Sequence, residues 1–211
     1  MLQKFIYFSA FFLLTSTLFG QNYGYSLFKN GWAFSGVGFF DNEAIFIGGK
    51  ATYTWDSKLT SGLRLGFYSS ESDYEVLSLT PLLSYQFFNV KINNDILSLS
   101  LNTQYEALFV SSNYDFDIPN IYVSSVGPQA TYYINPMKNP HLAFGIVWYQ
   151  SFVSFGSNDY EDVLNDYEIN TYGLFIRFRF YNMILSPSIQ INTSDSIETQ
   201  TGFGLSFSYA Q

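Results

Sequence analysis

Along the segment GLFIRFRFYN, residues 173–182, bulky apolar side chains alternate with arginines. A period of two belongs to a β-strand, whose successive side chains face opposite sides. Leu174, Ile176, Phe178 and Phe180 therefore share one face, and Arg177 and Arg179 the other. The same alternation recurs through the chain. Leu97, Leu99, Leu101, Tyr105 and Phe109 oppose Ser98, Ser100, Asn102, Gln104 and Glu106; Ile45, Ile47, Ala51, Tyr53 and Trp55 oppose Lys50, Thr52 and Thr54; Leu63, Leu65 and Phe67 oppose Arg64. Turn residues separate these runs. The pattern predicts strands near Gly31–Phe40, Ala44–Trp55, Thr60–Tyr68, Glu75–Phe88, Ile96–Val110, Ile121–Ile134, His141–Phe155, Glu168–Tyr181, Ile184–Asn192 and Thr199–Ala210. Ten strands result, with eight the alternative if the first hairpin or the Asn182 turn is misassigned.

In a soluble sheet the apolar face would be a core; in a membrane barrel it would face lipid and the arginines would face the lumen. The connections discriminate. The first, third, fifth, seventh and ninth hold Asp41, Glu43, Glu71, Asp73, Asp115, Asp117, Asp159, Glu161, Asp162, Asp166, Asp195 and Glu198, with no lysine or arginine among them. The second, fourth, sixth and eighth (56–58, 89–95, 135–140 and 182–183) are shorter on average and carry Lys58, Lys91 and Lys138. Transmembrane barrels have this inequality, with short periplasmic turns and longer external loops. Both termini then fall on the periplasmic side. Aromatic residues gather near strand ends on the apolar face, Trp32, Tyr53, Trp55, Tyr85, Phe87, Tyr132 and Tyr209 at one level and Phe109, Tyr122 and Tyr172 at the other. Such belts mark the two membrane interfaces. Pro81, Pro128 and Pro187 fall inside these strands, and a closed barrel has no edge where a missing donor is harmless, so bulges or local breaks are expected there.

Composition agrees. Of 211 residues 12% are charged and 21% aromatic, and there is no cysteine. A soluble domain carries about twice that charged share. The one continuous apolar run, Phe5–Leu14 behind Lys4, falls short of the ~20 residues a spanning helix needs but suits a secretory signal peptide. Residues 1–20 are read as that leader, with cleavage between Gly20 and Gln21 despite Leu18, and 21–211 as a single barrel domain. Without a cysteine after the leader, a lipid anchor of the lipoprotein type is excluded, and with no second apolar run the chain can cross a membrane only as a barrel.

The segment Gly202-Phe-Gly-Leu-Ser-Phe-Ser-Tyr209 resembles the C-terminal strand of the small outer-membrane β-barrel proteins of Gram-negative bacteria, and Gly31–Gln211 as a whole resembles that family. Gly204, Phe207 and Tyr209 match its assembly signal; the chain departs from it by continuing through Ala210-Gln211 and by placing Gly202 at the usual polar position. The resemblance implies export through the periplasm, insertion by the barrel-assembly machinery, and contact with outer-membrane lipid and lipopolysaccharide. It implies no single activity, because the architecture hosts pores, adhesins, enzymes and structural proteins.

Catalytic chemistry finds little support. Outer-membrane barrel enzymes of the protease, phospholipase and lipid A-modifying families depend on a histidine; here the one histidine, His141, follows a tight turn at the periplasmic rim, where it reads as a surface residue. No nucleophile–histidine pair accompanies it. The acidic stretch Asn158–Asp166 has oxygen ligands but lacks the glycine and spacing of a calcium loop, and reads as a solvated loop that a protein partner could also contact. No catalytic residue, metal ligand or cofactor is assigned. Nucleic acid is excluded as a partner by the net charge of -8 and the scattered basic residues.

The polar face is more informative. Lys50, Arg64, Arg177 and Arg179 share it with Glu106, and the turn at 56–58 sets Lys50 roughly opposite Arg64. Glu106 is the first candidate counter-charge for Arg177 and Arg179, although it lies about ten residues up its strand. The expectation is a non-enzymatic barrel with a largely filled lumen and no cofactor, serving envelope structure or surface interaction, including as an accessory subunit of a larger outer-membrane complex. The alternative is a narrow pore or anion-binding barrel with a basic lower lumen.

Overall fold

The computed structural model describes residues 30–40, 44–70, 74–112, 120–156, 168–194 and 197–210. The expected leader, the acidic stretch 158–166 and nearly all the connection carboxylates lie outside the described residues. The ten strands are β1 (Gly31–Phe40), β2 (Ala44–Trp55), β3 (Leu59–Ser70), β4 (Tyr74–Ile92), β5 (Asp95–Ser112), β6 (Ile121–Ile134), β7 (His141–Phe155), β8 (Glu168–Phe180), β9 (Met183–Ser194) and β10 (Ile197–Ala210). Each pairs with its sequence neighbours, and β1 closes on β10 from Ala33↔Ala210 to Phe40↔Phe203, all antiparallel. The count is ten rather than eight. Closure leaves no edge strand, so every ladder position has a neighbour on both sides.

The short turns are built from residues that accept left-handed backbone. Asp56 and Ser57 have φ of 47° and 56°, the paired positive angles of a tight hairpin turn, closed by Lys58 N–H donating to the Trp55 carbonyl at 3.0 Å. Asn93 (58°), Asn135 (45°) and Tyr181 (52°) do the same at the other three. The fourth connection is narrower than expected, because β4 runs on to Ile92 and β5 begins at Asp95. A bulge explains the difference. Gln86 faces Ser100 and Phe88 faces Leu99, so Phe87 is an extra residue and both phenylalanines point outward, breaking the alternation where the strand seemed to stop.

The three prolines cause breaks but no shift. Pro81 stays paired with Leu63, Pro128 with Leu101 and Pro187 with Leu205. On the opposite side of each, the ladder skips two positions and resumes in the same register, from Leu79↔Ala107 to Leu82↔Gln104 beside Pro81, for example. In antiparallel sheet a residue directs its N–H and C=O toward one neighbour, so a proline's missing donor weakens only that seam.

Side chains divide as the alternation requires. Phe34, Ile47, Leu65, Phe67, Ile146, Leu174 and Phe203 are among the large apolar residues exposed on the outside, while Ser35, Thr52, Ser78, Asn102, Ser125 and Ser206 are among the polar residues buried inside. The interior is nonetheless not uniformly polar. At the end bearing the longer connections, Val37, Phe39, Phe46, Tyr68, Val76, Leu108, Ile121, Val123, Val153 and Ile169 form one buried apolar cluster spanning β1 to β8. This layer was not anticipated from the sequence.

Candidate functional site in the barrel lumen

Beneath the apolar layer, β2, β3 and β4 set Lys50, Arg64 and Thr80 in one row, Lys50 directly opposite Arg64 and Arg64 opposite Thr80. Arg64 Nη2 donates to Glu106 Oε1 at 3.0 Å and to Thr80 Oγ1 at 2.9 Å. The Tyr68 hydroxyl donates to the same carboxylate oxygen at 3.3 Å, and the Ser78 hydroxyl donates to it as well. Both charged side chains are 0% exposed. An ion pair so fully withdrawn from water holds only if its remaining hydrogen-bonding capacity is met, and the hydroxyls of Ser78, Thr80 and Tyr68 contribute to that.

Glycine and phenylalanine supply the other half of the packing. The Arg64 guanidinium sits 5.5 Å from the centre of the Phe46 ring, which itself tilts against Tyr68 at 4.6 Å. The ring lies flat against the wall because Gly66 has no side chain: a Cβ there would stand 2.1 Å from the ring. The device recurs across the barrel. Phe175 lies on Gly145, where a Cβ would approach to 2.0 Å, and Arg177 stands 5.4 Å above that ring. Phe39 fills the space over Gly202 in the same way, at 2.1 Å. Each guanidinium thus gains the face of an aromatic ring, which attracts cations in a desolvated setting.

The predicted basic cluster divides by depth. Lys50 and Arg177 are buried, and Lys50 lies within electrostatic reach of both Arg177 and Arg64. Arg177 Nη1 also donates to the Tyr133 hydroxyl at 3.5 Å. Arg179, two residues on, is only half-buried at the rim and donates from Nε to the Tyr181 carbonyl at 2.9 Å. The ion pair of Glu106 is with Arg64. Register sets Arg177 at a different level. Arg177 pairs with Ala143, and through it with Tyr133 and Ile96, near the short-turn end of β5, far along that strand from Glu106.

Neutral polar contacts fill much of the remaining lumen: Ser35 with Ser208 at 2.8 Å, Ser125 with Ser151 at 2.8 Å, and Asn102 Nδ2 donating to Gln129 Oε1 at 3.3 Å. Buried polar atoms of Gln104, Thr171, Ser186 and Asn192 have no protein partner, as expected where internal water completes the bonding. His141 opens β7 opposite Arg179 at the short-turn rim. No group of metal-ligating side chains occurs among the described residues. In β10, Gly204 faces inward opposite Phe39, while Phe207 and Tyr209 point outward. The residues that organise the lumen and escaped sequence reasoning are Phe39, Phe46 and Phe175. Their signal was parity with the inward positions, together with inward glycines on adjoining strands.

No known family description matches the chain, nor does any curated protein sequence. Solved structures do. The N-terminal β-barrel domain of OprF from Pseudomonas aeruginosa is 13% identical, with 87% of this chain and 98% of that one aligned and a TM-score of 0.41. LpxR from Salmonella typhimurium is 7% identical over 79% of this chain and 73% of that one, with a TM-score of 0.48. The outer membrane protein Omp33 of Acinetobacter baumannii is 8% identical over 88% and 100%, with a TM-score of 0.32. The chain's own surface decides its setting: a closed ladder wrapped in apolar side chains, polar within, satisfies its backbone inside a bilayer and has no place in water. The protein is a ten-stranded transmembrane β-barrel of the outer-membrane type.

Proposed function

We propose that this barrel is non-enzymatic and occluded, serving envelope structure or surface interaction, including as an accessory subunit of a larger outer-membrane assembly. One observation carries the reading: the buried apolar cluster that runs from Val37 to Ile169 packs inside the barrel, on the long-connection side of the Arg64–Glu106 pair. Ions would have to cross desolvated phenylalanine, leucine and isoleucine to pass. The longer, acidic connections face outward from the cell in this reading, where a protein partner would meet them. Gentle detergent extraction followed by identification of co-purifying proteins tests it; a larger partner is expected. Lipid chemically altered by the purified barrel would overturn the non-enzymatic assignment.

A second reading, an anion-binding lumen, is favoured by the burial of Lys50, Arg64 and Arg177, with Lys50 within electrostatic reach of the other two. Sulfate would then raise the unfolding temperature of the wild type but not of a Lys50→Gln/Arg177→Gln variant.

A further inference from the structure

From residue 30 onward the basic side chains are Lys50, Lys58, Arg64, Lys91, Lys138, Arg177 and Arg179. Lys50, Arg64 and Arg177 are buried in the lumen. The other four fall one to each short connection: Lys58 in the turn after β2, Lys91 near the end of β4, Lys138 between β6 and β7, and Arg179 near the end of β8. The turns alternate with strands around a closed barrel, so the exposed Lys58, Lys91 and Lys138 are spaced along one rim, with Arg179 half-buried on its inward side. Among the described residues of these connections only Asp56 and Asp95 accompany them, and Asp95 is engaged by the Tyr132 hydroxyl at 2.6 Å and the Asn135 N–H at 2.9 Å. A chain of net charge -8 has thus kept a basic rim.

The three exposed lysines lie in or beside turns whose neighbouring residues are exposed and apolar, whereas Arg179 takes the inward side of the rim. Lys58 stands three residues after Trp55 and directly before Leu59, Lys91 precedes Ile92, and Lys138 follows Met137. Met137 is 79% exposed. Just above Lys58, Trp32 packs edge-on against Tyr53 at 5.1 Å and Tyr53 against Trp55 at 4.7 Å. Aromatic rings seated at headgroup level with cations beside them are what a membrane interface selects, and negative headgroups are what such cations attract.

We infer that the short-turn rim is a contact ring for anionic phospholipid, in which Lys58, Lys91 and Lys138 engage headgroup phosphates while Trp55, Ile92 and Met137 enter the adjoining acyl region. The inference rests on the membrane reading of the barrel. It requires no particular orientation of the protein. Lysines on turns can reach along the rim, so the ring selects headgroup charge and not one molecular shape.

Tryptophan quenching by brominated lipid tests it. A Trp148→Phe variant leaves Trp32 and Trp55, both near the ring, as reporters. In vesicles mixing phosphatidylcholine with phosphatidylglycerol, brominated phosphatidylglycerol should quench with a relative association constant about fivefold above that of brominated phosphatidylcholine. The wild type should show the same preference in weaker form. Combined Lys58→Gln, Lys91→Gln and Lys138→Gln should bring the ratio to about one, whereas the matching Lys→Arg variant should keep it. Inorganic phosphate should act no more strongly than chloride at equal ionic strength; selective loss in phosphate would replace the lipid ring by a free-anion site. Equal quenching by the two lipids in the wild type and its Trp148→Phe variant, or a preference that survives the triple Gln variant, would overturn the inference. Absence of quenching by either lipid would overturn the membrane reading with it.

Discussion

Arg64 and Glu106 meet at 3.0 Å with neither side chain exposed. They stand two strands apart, bridged by the Ser78 and Thr80 side chains of the strand between. A buried charge so held depends on its partner. Removing one member leaves the other uncompensated, at a cost of about 3–5 kcal/mol, whereas removing both costs much less. Glu106→Gln should therefore lower the urea midpoint of the folded barrel in vesicles more than Arg64→Gln and Glu106→Gln together. Additive losses would mean the pair is not coupled.

Gly66 and Phe46 form the second dependency. A Cβ at residue 66 would lie 2.1 Å from the Phe46 ring, which is confined between Arg64 and Tyr68. Gly66→Ala should destabilise the barrel by about 1–3 kcal/mol, the usual effect of overpacking. In a Phe46→Ala background the same change should be nearly neutral, as unfolding of the single and double variants will show. An equal loss in both backgrounds would place the strain elsewhere.

Strand number and lipid face were legible because period-two alternation is strong wherever a sheet separates apolar from polar surroundings. The Lys50–Arg64 opposition was legible too, since the tight turn at 56–58 sets that register. Alternation failed at Phe87, where the bulge places Phe87 and Phe88 on the same side and hides the continuation of β4. Residue type could not separate Phe175 from Phe178, since a phenylalanine inside the lumen and one facing lipid are the same residue; parity and Gly145 across the seam distinguish them. The partner of Glu106 required the register of two successive hairpins, one of them interrupted at Pro81.

Orientation follows from the inequality of the connections. Single cysteines at Asp115 or Asp162, both outside the described residues, should react with an impermeant thiol reagent on intact cells, and one at Lys138 should not. The reverse pattern would place the short turns outside and the termini with them.

Helical chains cross membranes by length and apolarity, and no helix among the described residues has both. Crossing here belongs to strands, so the outward face must stay apolar between its aromatic belts. Leu174→Arg on that face should cost about 2–4 kcal/mol near the midplane, against little for an arginine at an exposed turn position such as Asn182. Matched unfolding of the two variants in vesicles checks the difference; equal effects would contradict the assigned lipid face.

Single-channel recording in planar bilayers tests occlusion most directly. The wild-type barrel should insert without stepwise conductance if, as proposed, the buried cluster containing Phe39, Phe46, Leu108 and Ile169 occludes the lumen beyond Arg64 and Glu106. Combined Phe39→Ser, Phe46→Ser and Leu108→Ser should open ion-conducting steps in barrels that still show heat-modifiable gel mobility. Reproducible conductance by the wild type, with the apolar layer intact, would contradict the occluded barrel and restore the pore.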